Sequence, residues 1–165
     1  MKVGIFLGRM QPLTPGHEWL IEQIFKHNRE VVICIGSAEQ IAPDDPKAPK
    51  NPLPTDERFA RVEAFIKNND FDKPYRIIKV EDVDSDEAWP VHLAREIGLD
   101  EKDTNNIYFG DKITAGYQEG LEKAGFTVKI VKRKSFTYEA PNKRIYEFKS
   151  ATEIRNLNAK LGTKL

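Results

Sequence analysis

Cysteine is nearly absent from this sequence, in which Cys34 is the single example among 165 residues. A disulfide framework within the chain is therefore excluded, and with it the class of small secreted scaffolds that depend on one. Cys34 lies inside the apolar run 31–35. We therefore expect a buried, unreactive thiol.

The sequence also lacks an excess of either charge and any long apolar run. Lys and Arg number 26, as do Asp and Glu, so the chain has no basic field that would attract nucleic acid. No run approaches the roughly 20 apolar residues of a transmembrane helix, and the first residues lack the pattern of a signal or transit peptide. We expect one domain over residues 1–165 in the cytoplasm, with neither nucleic acid nor membrane as partner. The oligomeric state stays open, a homo-oligomer included.

Two common nucleotide-binding motifs are missing. Neither G-x-x-x-x-G-K-[ST] nor G-x-G-x-x-G follows any apolar run. P-loop kinase chemistry and ordinary dinucleotide oxidoreduction therefore lose support.

What the sequence does contain is a regular alternation of strand and helix patterns. Apolar runs predict strands at 3–7, 31–35, 75–80, 107–109 and 126–131. Helical periodicity predicts helices that start at His17, after Thr55 as N-cap, at Trp89 and near Tyr117, with Gly98 and Gly125 as C-terminal caps. The proline-rich segment 42–54 reads as a long loop. This alternation predicts a Rossmann-like, doubly wound parallel α/β sheet, in which ligands bind beyond the carboxyl ends of the strands.

The first of these strands ends in a corner that suits an anion. Gly8 closes the strand, a polar turn with Arg9 follows, and a helix restarts at His17. Backbone N–H groups and the positive end of the helix dipole favour phosphate at such a corner.

A second helix start lies near the end of the sequence. Ser150 and Glu153 have the spacing of a capping box, and Ile154, Leu157 and Leu161 continue as one helical face. Hydroxyl groups and Arg155 at this start predict a second phosphate site. Taken alone, a helix start with such residues is more often a capped helix end than a phosphate-binding site.

The acidic run 81–87 does not form a calcium loop. Asp82, Asp84 and Asp86 alternate as calcium ligands do, but the required glycine and glutamate are replaced by Glu87 and Leu93. We expect a solvated loop, and we predict no metal-ligating residues.

Taken together, these segments resemble the nucleotidylyltransferase superfamily of the (H/T)xGH type, and within it the archaeal-type nicotinamide-nucleotide adenylyltransferases. The resemblance covers nearly the whole chain, and its motifs are Gly8-Arg9-Met10-Gln11-Pro12, Thr14-x-Gly16-His17, Ile35-Gly36-Ser37-Ala38, Asn51-Pro52-Leu53 with Glu57-Arg58, Asp82 with Trp89, and Ser150 to Arg155. It implies adenylyl transfer from ATP to a mononucleotide, with Mg2+ accompanying ATP and without a covalent enzyme intermediate.

The resemblance also implies roles for individual residues. His17, Thr14 and Arg155 correspond to catalytic positions, with His17 on the α-phosphate. The residues that correspond to the ATP site are Gly8, Arg9, Met10, Gly16, His17, Ser150, Thr152 and Arg155. Those that correspond to the acceptor site are Ser37, Lys50, Arg58, Asp82 and Trp89.

Some of these assignments have plain alternatives. Trp89 would serve equally well as a core residue, and Arg58 as a surface residue that pairs with nearby acids. Thr14 stands where nicotinamide-type enzymes usually have a first histidine, and threonine is commoner in the phosphopantetheine-type branch. The acceptor therefore stays open between a nicotinamide-type mononucleotide and phosphopantetheine or a small phospho-alcohol, with a non-catalytic nucleotide sensor as a further alternative.

Overall fold

Parallel strands form the centre of the molecule. The computed structural model describes residues 1–39, 44–46, 48–132 and 134–163, and of Lys50 only the backbone. The strands of its main sheet are β1 (Lys2–Gly8), β2 (Glu30–Ile35), β3 (Tyr75–Lys79), β4 (Thr104–Phe109) and β5 (Phe126–Ile130). They are all parallel, in the order β3-β2-β1-β4-β5. The predicted doubly wound fold is confirmed.

Helices cover both faces of this sheet, so that β1, β2 and β4 are buried on both sides. The helices next to the sheet are α1 (Pro15–His27), α2 (Thr55–Asn69), α3 (Trp89–Ile97) and α4 (Ala115–Lys123). Alternate residues of β1 point to opposite faces. Phe6 packs in a core with residues of α1 and α2, whereas Ile5 packs in a second core with residues of α3 and α4.

The strand order reverses at β1, which has β2 on one side and β4 on the other. Chain connections therefore leave the carboxyl ends of β1 and β4 in opposite directions, and a crevice opens between them. The loop that follows β1 lies at the mouth of this crevice, where the sequence predicted a ligand.

Residues 136–148 form a hairpin that the sequence analysis did not predict. Strands β6 (Phe136–Glu139) and β7 (Ile145–Phe148) pair antiparallel, apart from the main sheet. Each strand has only four residues, and basic residues and a proline surround them, so the apolar signal is weak. The final helix, α5 (Ala151–Leu161), follows β7 directly.

Several predicted helix ends are corrected by the structure. Helix α1 begins at Pro15 with Thr14 as N-cap, two residues before the predicted start. Thr55 is not the N-cap of α2, because Pro54 holds that position and the Thr55 hydroxyl donates to the Ala38 carbonyl. The C-cap of α4 is Ala124, and Gly125 follows it with φ of 103°.

The prediction for α5 is correct in position but wrong in two details. Ser150 is the N-cap, but its side chain makes no capping bond, and Glu153 accepts from the backbone N–H of Lys149 instead of that of Ser150. The buried face contains Ile154 and Asn158, whereas Leu161 is exposed. The Asn158 amide donates hydrogen bonds to the Ile154 carbonyl and the Tyr138 hydroxyl. These bonds allow a polar side chain to be buried on this face of α5.

Every helix in the described part of the chain is too short or too polar to span a membrane. Cys34 is fully buried in β2, and burial raises the pKa of its thiol to about 12. The predicted unreactive thiol is thus confirmed by its environment.

Candidate functional site

The loop between β1 and α1 contains a left-handed residue. Met10 has φ of 52° and is 1% exposed, so its side chain anchors the loop in the core. Arg9, in contrast, is exposed. This geometry turns the backbone of residues 8–11 toward the crevice, because the chain must reverse between the strand end and the helix start.

Thr14 and His17 form a reciprocal capping box at the start of α1. The His17 backbone N–H donates to Thr14 Oγ1 (3.3 Å), and the Thr14 backbone N–H donates to His17 Nδ1 (3.0 Å). Because Nδ1 accepts from a backbone N–H, the ring proton of a neutral His17 lies on Nε2. Thr14 is 2% exposed, and it therefore orients the imidazole so that Nε2 can donate to an anion.

Arg155 joins the start of α5 to the same loop. Its Nη1 donates to the Gln11 carbonyl (2.6 Å), and its Nη2 donates to Thr152 Oγ1 (3.0 Å). Burial lowers the pKa of Arg155, and the nearby charge of Arg9 lowers it further. Two cations held close together favour an anion between them.

These groups line one cleft of about 310 Å3, called the main cleft below. All the residues assigned to the ATP site line it: Gly8, Arg9, Met10, Gly16, His17, Ser150, Thr152 and Arg155. Two helix starts that are more than 130 residues apart in sequence therefore meet, as the resemblance implies. That they bind ATP stays a prediction.

The main cleft also contains charged residues that the sequence analysis did not assign. Lys112 and Lys149 add two cations, and Asp111 adds a carboxylate. Their positions carried a signal, since Asp111 and Lys112 follow the end of β4 and Lys149 directly precedes Ser150. Within the described residues, no group of three or more His, Cys, Asp or Glu side chains could hold a metal ion.

The residues assigned to the acceptor site do not share one cavity. Asp82 and Trp89 line an opening of about 1100 Å3 between α3 and α4, called the α3–α4 cavity. Lys112 and Ile113 line both this cavity and the main cleft, so the two are adjacent. Trp89 is partly buried, and its Nε1 donates to the Tyr117 hydroxyl (3.0 Å), which fixes the indole at the cavity wall.

Arg58 lies elsewhere and is not a surface residue. It is 2% exposed and lines a separate opening of about 500 Å3 at the start of α2, called the α2 cavity. Its Nη1 donates to the Arg9 and Gly36 carbonyls, and its Nη2 donates to the Ser37 carbonyl and Thr55 Oγ1. With both terminal nitrogens bound to protein oxygens, Arg58 holds loops together. Its assignment to the acceptor's phosphate stays a prediction.

Ser37 and Lys50 are the remaining residues assigned to the acceptor site. Ser37 is buried, and its hydroxyl donates to Asp82 Oδ2 (2.8 Å), which links the loop after β2 to the loop after β3. The Lys50 side chain lies outside the described residues. The assignment of Ser37 and Asp82 to the acceptor site stays a prediction.

Comparison with known proteins agrees with this geometry. A family model described as Cytidylyltransferase-like matches residues 5–157. A nicotinamide-nucleotide adenylyltransferase from Pyrococcus horikoshii is 35% identical over 86 residues, which are 52% of this chain and 44% of the relative. One from Methanoculleus marisnigri is 32% identical over 93 residues, 56% of this chain and 51% of the relative. The match thus spans about half the length of these relatives.

Solved structures support the fold. A bifunctional NMN adenylyltransferase/ADP ribose pyrophosphatase from Francisella tularensis aligns with 99% of this chain and 43% of its own, with a TM-score of 0.71 at 18% identity. A NadR protein solved with NAD and AMP-PNP aligns with 94% of this chain and 42% of its own, with a TM-score of 0.59 at 20% identity.

Proposed function

Because the chain belongs to the cytidylyltransferase-like family, we propose that it is a nicotinamide or nicotinate mononucleotide adenylyltransferase. In this reaction a phosphate oxygen of the mononucleotide attacks the α-phosphorus of ATP. The new P–O bond gives NAD or its acid form, and the bond from the α-phosphorus to the bridging oxygen breaks. The electron pair of that bond leaves with pyrophosphate.

The observation that carries the proposal is the meeting of two helix starts and four cations in the main cleft. Helices α1 and α5 both begin there, beside Arg9, Lys112, Lys149 and Arg155. Helix N-termini and clustered cations suit a triphosphate, and transfer of a phosphoryl or adenylyl group requires positioning and charge neutralisation rather than an enzyme nucleophile.

The geometry suggests distinct tasks for two side chains. His17, with its proton on Nε2, would donate to an α-phosphate oxygen, where negative charge grows as the acceptor attacks. Arg155, held by the Gln11 carbonyl, would neutralise the departing pyrophosphate. Neither residue forms a covalent bond in this scheme.

The acceptor's ring would lie in the α3–α4 cavity. Its wall contains Trp89 and Tyr117, and it joins the main cleft at Lys112 and Ile113. The indole is held in place by the Tyr117 hydroxyl. It would stack on the acceptor's ring, a contact worth about 1 kcal/mol beyond the buried area. Asp82, held by Ser37, lines the same cavity.

Mg2+ fits this site as a partner of ATP rather than as a resident ion. The main cleft supplies Asp111 as its carboxylate among the described lining residues. Mg2+ in nucleotide sites commonly binds substrate phosphates, water and one or two carboxylates. When bound, it would neutralise phosphate charge. A cytoplasmic location, where ATP and mononucleotides are at hand, is part of the same proposal.

The test is a pyrophosphate-release assay with Mg2+ and ATP over a panel of acceptors. We expect release with nicotinamide or nicotinate mononucleotide and formation of the corresponding dinucleotide. The panel includes phosphopantetheine, glycerol phosphate and a sugar phosphate, each with ATP and with CTP. Release with one of these and silence with both mononucleotides would contradict the proposed acceptor.

A second candidate keeps the reaction and changes the acceptor. Thr14 in the first motif position favours phosphopantetheine or a small phospho-alcohol, the latter with CTP. Tight ATP binding without pyrophosphate release from any acceptor would instead identify a non-catalytic nucleotide sensor.

A further inference from the structure

The Tyr117 side chain is held at two points at the wall of the α3–α4 cavity. Tyr117 lies in the first turn of α4, and its ring packs edge-on against Phe109, with 5.9 Å between the ring centroids. Its hydroxyl oxygen accepts from Trp89 Nε1 (3.0 Å), and both Trp89 and Tyr117 line the cavity. The protein itself therefore fixes the position of this hydroxyl.

The same hydroxyl has a proton to donate. A phenol has one donor and two acceptor positions, and the Trp89 N–H occupies one of the acceptor positions. Among the hydrogen bonds of the described residues, none uses the Tyr117 proton. Burial raises the pKa of Tyr117, against a smaller lowering by the bond from Trp89, so the hydroxyl keeps its proton at neutral pH. The cavity wall thus supplies a fixed donor that suits an oxygen atom of a ligand.

Carboxylates outnumber cations around this cavity. Its described lining residues include four carboxylates and two ammonium groups: Asp82, Asp86, Glu87, Glu119, Lys112 and Lys123. Glu119 pairs with Lys123 (2.9 Å), and Lys112 lies at the wall shared with the main cleft. The other three carboxylates lie together in the loop 82–87 before α3. An anionic group in this cavity is therefore disfavoured, whereas a cation or a neutral amide is accommodated.

The two forms of the proposed acceptor differ in the group that would meet these side chains. Nicotinamide and nicotinate mononucleotide both contain a cationic pyridinium ring, which carries a neutral carboxamide in the first and a carboxylate in the second. A carboxamide offers an oxygen to the Tyr117 hydroxyl and N–H donors to the nearby carboxylates. A carboxylate offers no donor and is repelled by them.

We propose that Tyr117 is a specificity-determining residue that donates to the carboxamide oxygen of nicotinamide mononucleotide, and that the carboxylates of the loop 82–87 select this amide over the acid form; this inference rests on the proposed function. Trp89 orients the hydroxyl, and Tyr117 contacts the substrate.

The first measurement is calorimetric titration of mononucleotides into the full chain without a triphosphate. The probes are nicotinamide mononucleotide, 3-acetylpyridine mononucleotide, which keeps the carbonyl but has no N–H, and pyridine mononucleotide, which has no substituent. We expect the wild type to bind each of the first two more tightly than the third by roughly 3- to 10-fold, as one hydrogen bond allows. Equal affinity of the wild type for 3-acetylpyridine and pyridine mononucleotide overturns the proposal without any variant.

The second measurement repeats this series with Tyr117→Phe, which keeps the ring and removes the hydroxyl. Binding of the two carbonyl-containing ligands should weaken by roughly 3- to 10-fold relative to that of pyridine mononucleotide. Loss of the bond from Trp89 affects all three ligands alike, so an equal loss for all three shows a purely structural role and overturns the proposal. Tyr146→Phe is the control, because its hydroxyl accepts from Asn142 (3.1 Å) and lines neither opening. It should keep the wild-type series.

The selection of the amide is measured by kcat/KM for pyrophosphate release with Mg2+ and ATP. We expect the wild type to prefer nicotinamide over nicotinate mononucleotide by about tenfold or more. The double variant Asp86→Asn, Glu87→Gln keeps the shapes of both side chains and removes two charges, and its preference should fall to about threefold or less. Asp84→Asn changes the same loop outside the cavity lining and should keep the wild-type preference. An unchanged preference in the double variant overturns the selection.

The outcomes separate this inference from the proposed function. Turnover of nicotinamide mononucleotide with an equal loss of all three ligands in Tyr117→Phe overturns the inference and leaves the proposed function standing. Absence of turnover with both nicotinamide and nicotinate mononucleotide overturns the proposed function and this inference with it. If Tyr117→Phe fails to fold, the wild-type ligand series decides.

Discussion

At the residue scale, the orientation of His17 is set by its neighbours in the chain. The capping box with Thr14 fixes which ring nitrogen carries the proton. The sequence analysis expected a capping box at Ser150 and did not predict this one. The reason is chemical: a histidine at the third helical position can replace the glutamate of the usual motif by accepting through Nδ1.

For His17→Ala we expect kcat to fall by ~100-fold or more while the dissociation constant of AMP-PNP changes far less, because the lost hydrogen bond strengthens in the transition state. Steady-state kinetics and calorimetry measure the two quantities. His27→Ala, at the exposed end of α1, is the control and should leave both unchanged. A variant with wild-type kcat would remove His17 from the reaction.

Arg155 should behave differently, because its proposed partner is present before the reaction begins. For Arg155→Ala we expect weaker AMP-PNP binding by roughly 10-fold or more together with a lower kcat. The comparison variant is Arg61→Ala, at a partly exposed arginine on α2 that pairs with Glu57 and lies outside the main cleft. Undiminished AMP-PNP affinity in Arg155→Ala would place the triphosphate elsewhere.

Cys34 gives a prediction for alkaline pH. Burial raises the pKa of its thiol to about 12 from an ordinary 9.0. The unfolded thiol ionises first as pH rises, so this contribution to stability is complete below about 9 and is lost toward about 12, at roughly 1.4 kcal/mol per pH unit. Urea unfolding of wild type and Cys34→Ala between about pH 8 and 11 measures it. Equal pH slopes in the two proteins would contradict the prediction.

At the scale of elements, α5 depends on the hairpin that precedes it. Asn158 donates to the Tyr138 hydroxyl of β6 and accepts from the Thr163 hydroxyl, which joins hairpin, helix and helix end. The start of α5 is thereby held at the main cleft. Sequence periodicity predicted Ile154, Leu157 and Leu161 as one face, and of these Ile154 is buried whereas Leu161 is exposed. Periodicity counts apolar residues and does not detect a polar residue, here Asn158, that finds its partners in another element.

Asn158→Ala should therefore reduce the free energy of unfolding by about 1–3 kcal/mol, since a buried network loses its central amide. Asn156→Ala, an exposed change on the same helix, is expected to cost far less. Urea denaturation of the two variants and the wild type measures the difference. Equal stability of the two variants would show that α5 is held by its apolar contacts alone.

At the scale of the whole molecule, the main cleft and the α3–α4 cavity share a wall at Lys112 and Ile113. This juxtaposition arises because both openings lie beyond the carboxyl end of β4. With ATP in the main cleft and the mononucleotide in the α3–α4 cavity, the phosphates of both substrates would lie near the Lys112 ammonium.

Lys112→Met should raise KM for ATP and for the mononucleotide, each by roughly 10-fold, because one cation serves both substrates. Lys102→Met, at an exposed lysine that lines neither opening, should leave both KM values unchanged. Kinetics with each substrate varied in turn separates the two values. A change in only one of them would show that Lys112 belongs to a single subsite.

The sequence by itself determined the main sheet, the helices beside it and the residues assigned to the ATP site, all of which line the main cleft. Apolar runs and helical spacing are local signals, and the motifs at residues 8–17 and 150–155 carry local phosphate chemistry. Only the tertiary structure decided which polar side chains form hydrogen bonds with the protein's own backbone. In the sequence, Arg58 and Gln11 look available to bind a ligand. In the structure both are buried, and they donate hydrogen bonds to backbone carbonyls 21 to 49 residues away. No local pattern reports a partner at that separation, because folding brings the two together only when the sheet is complete.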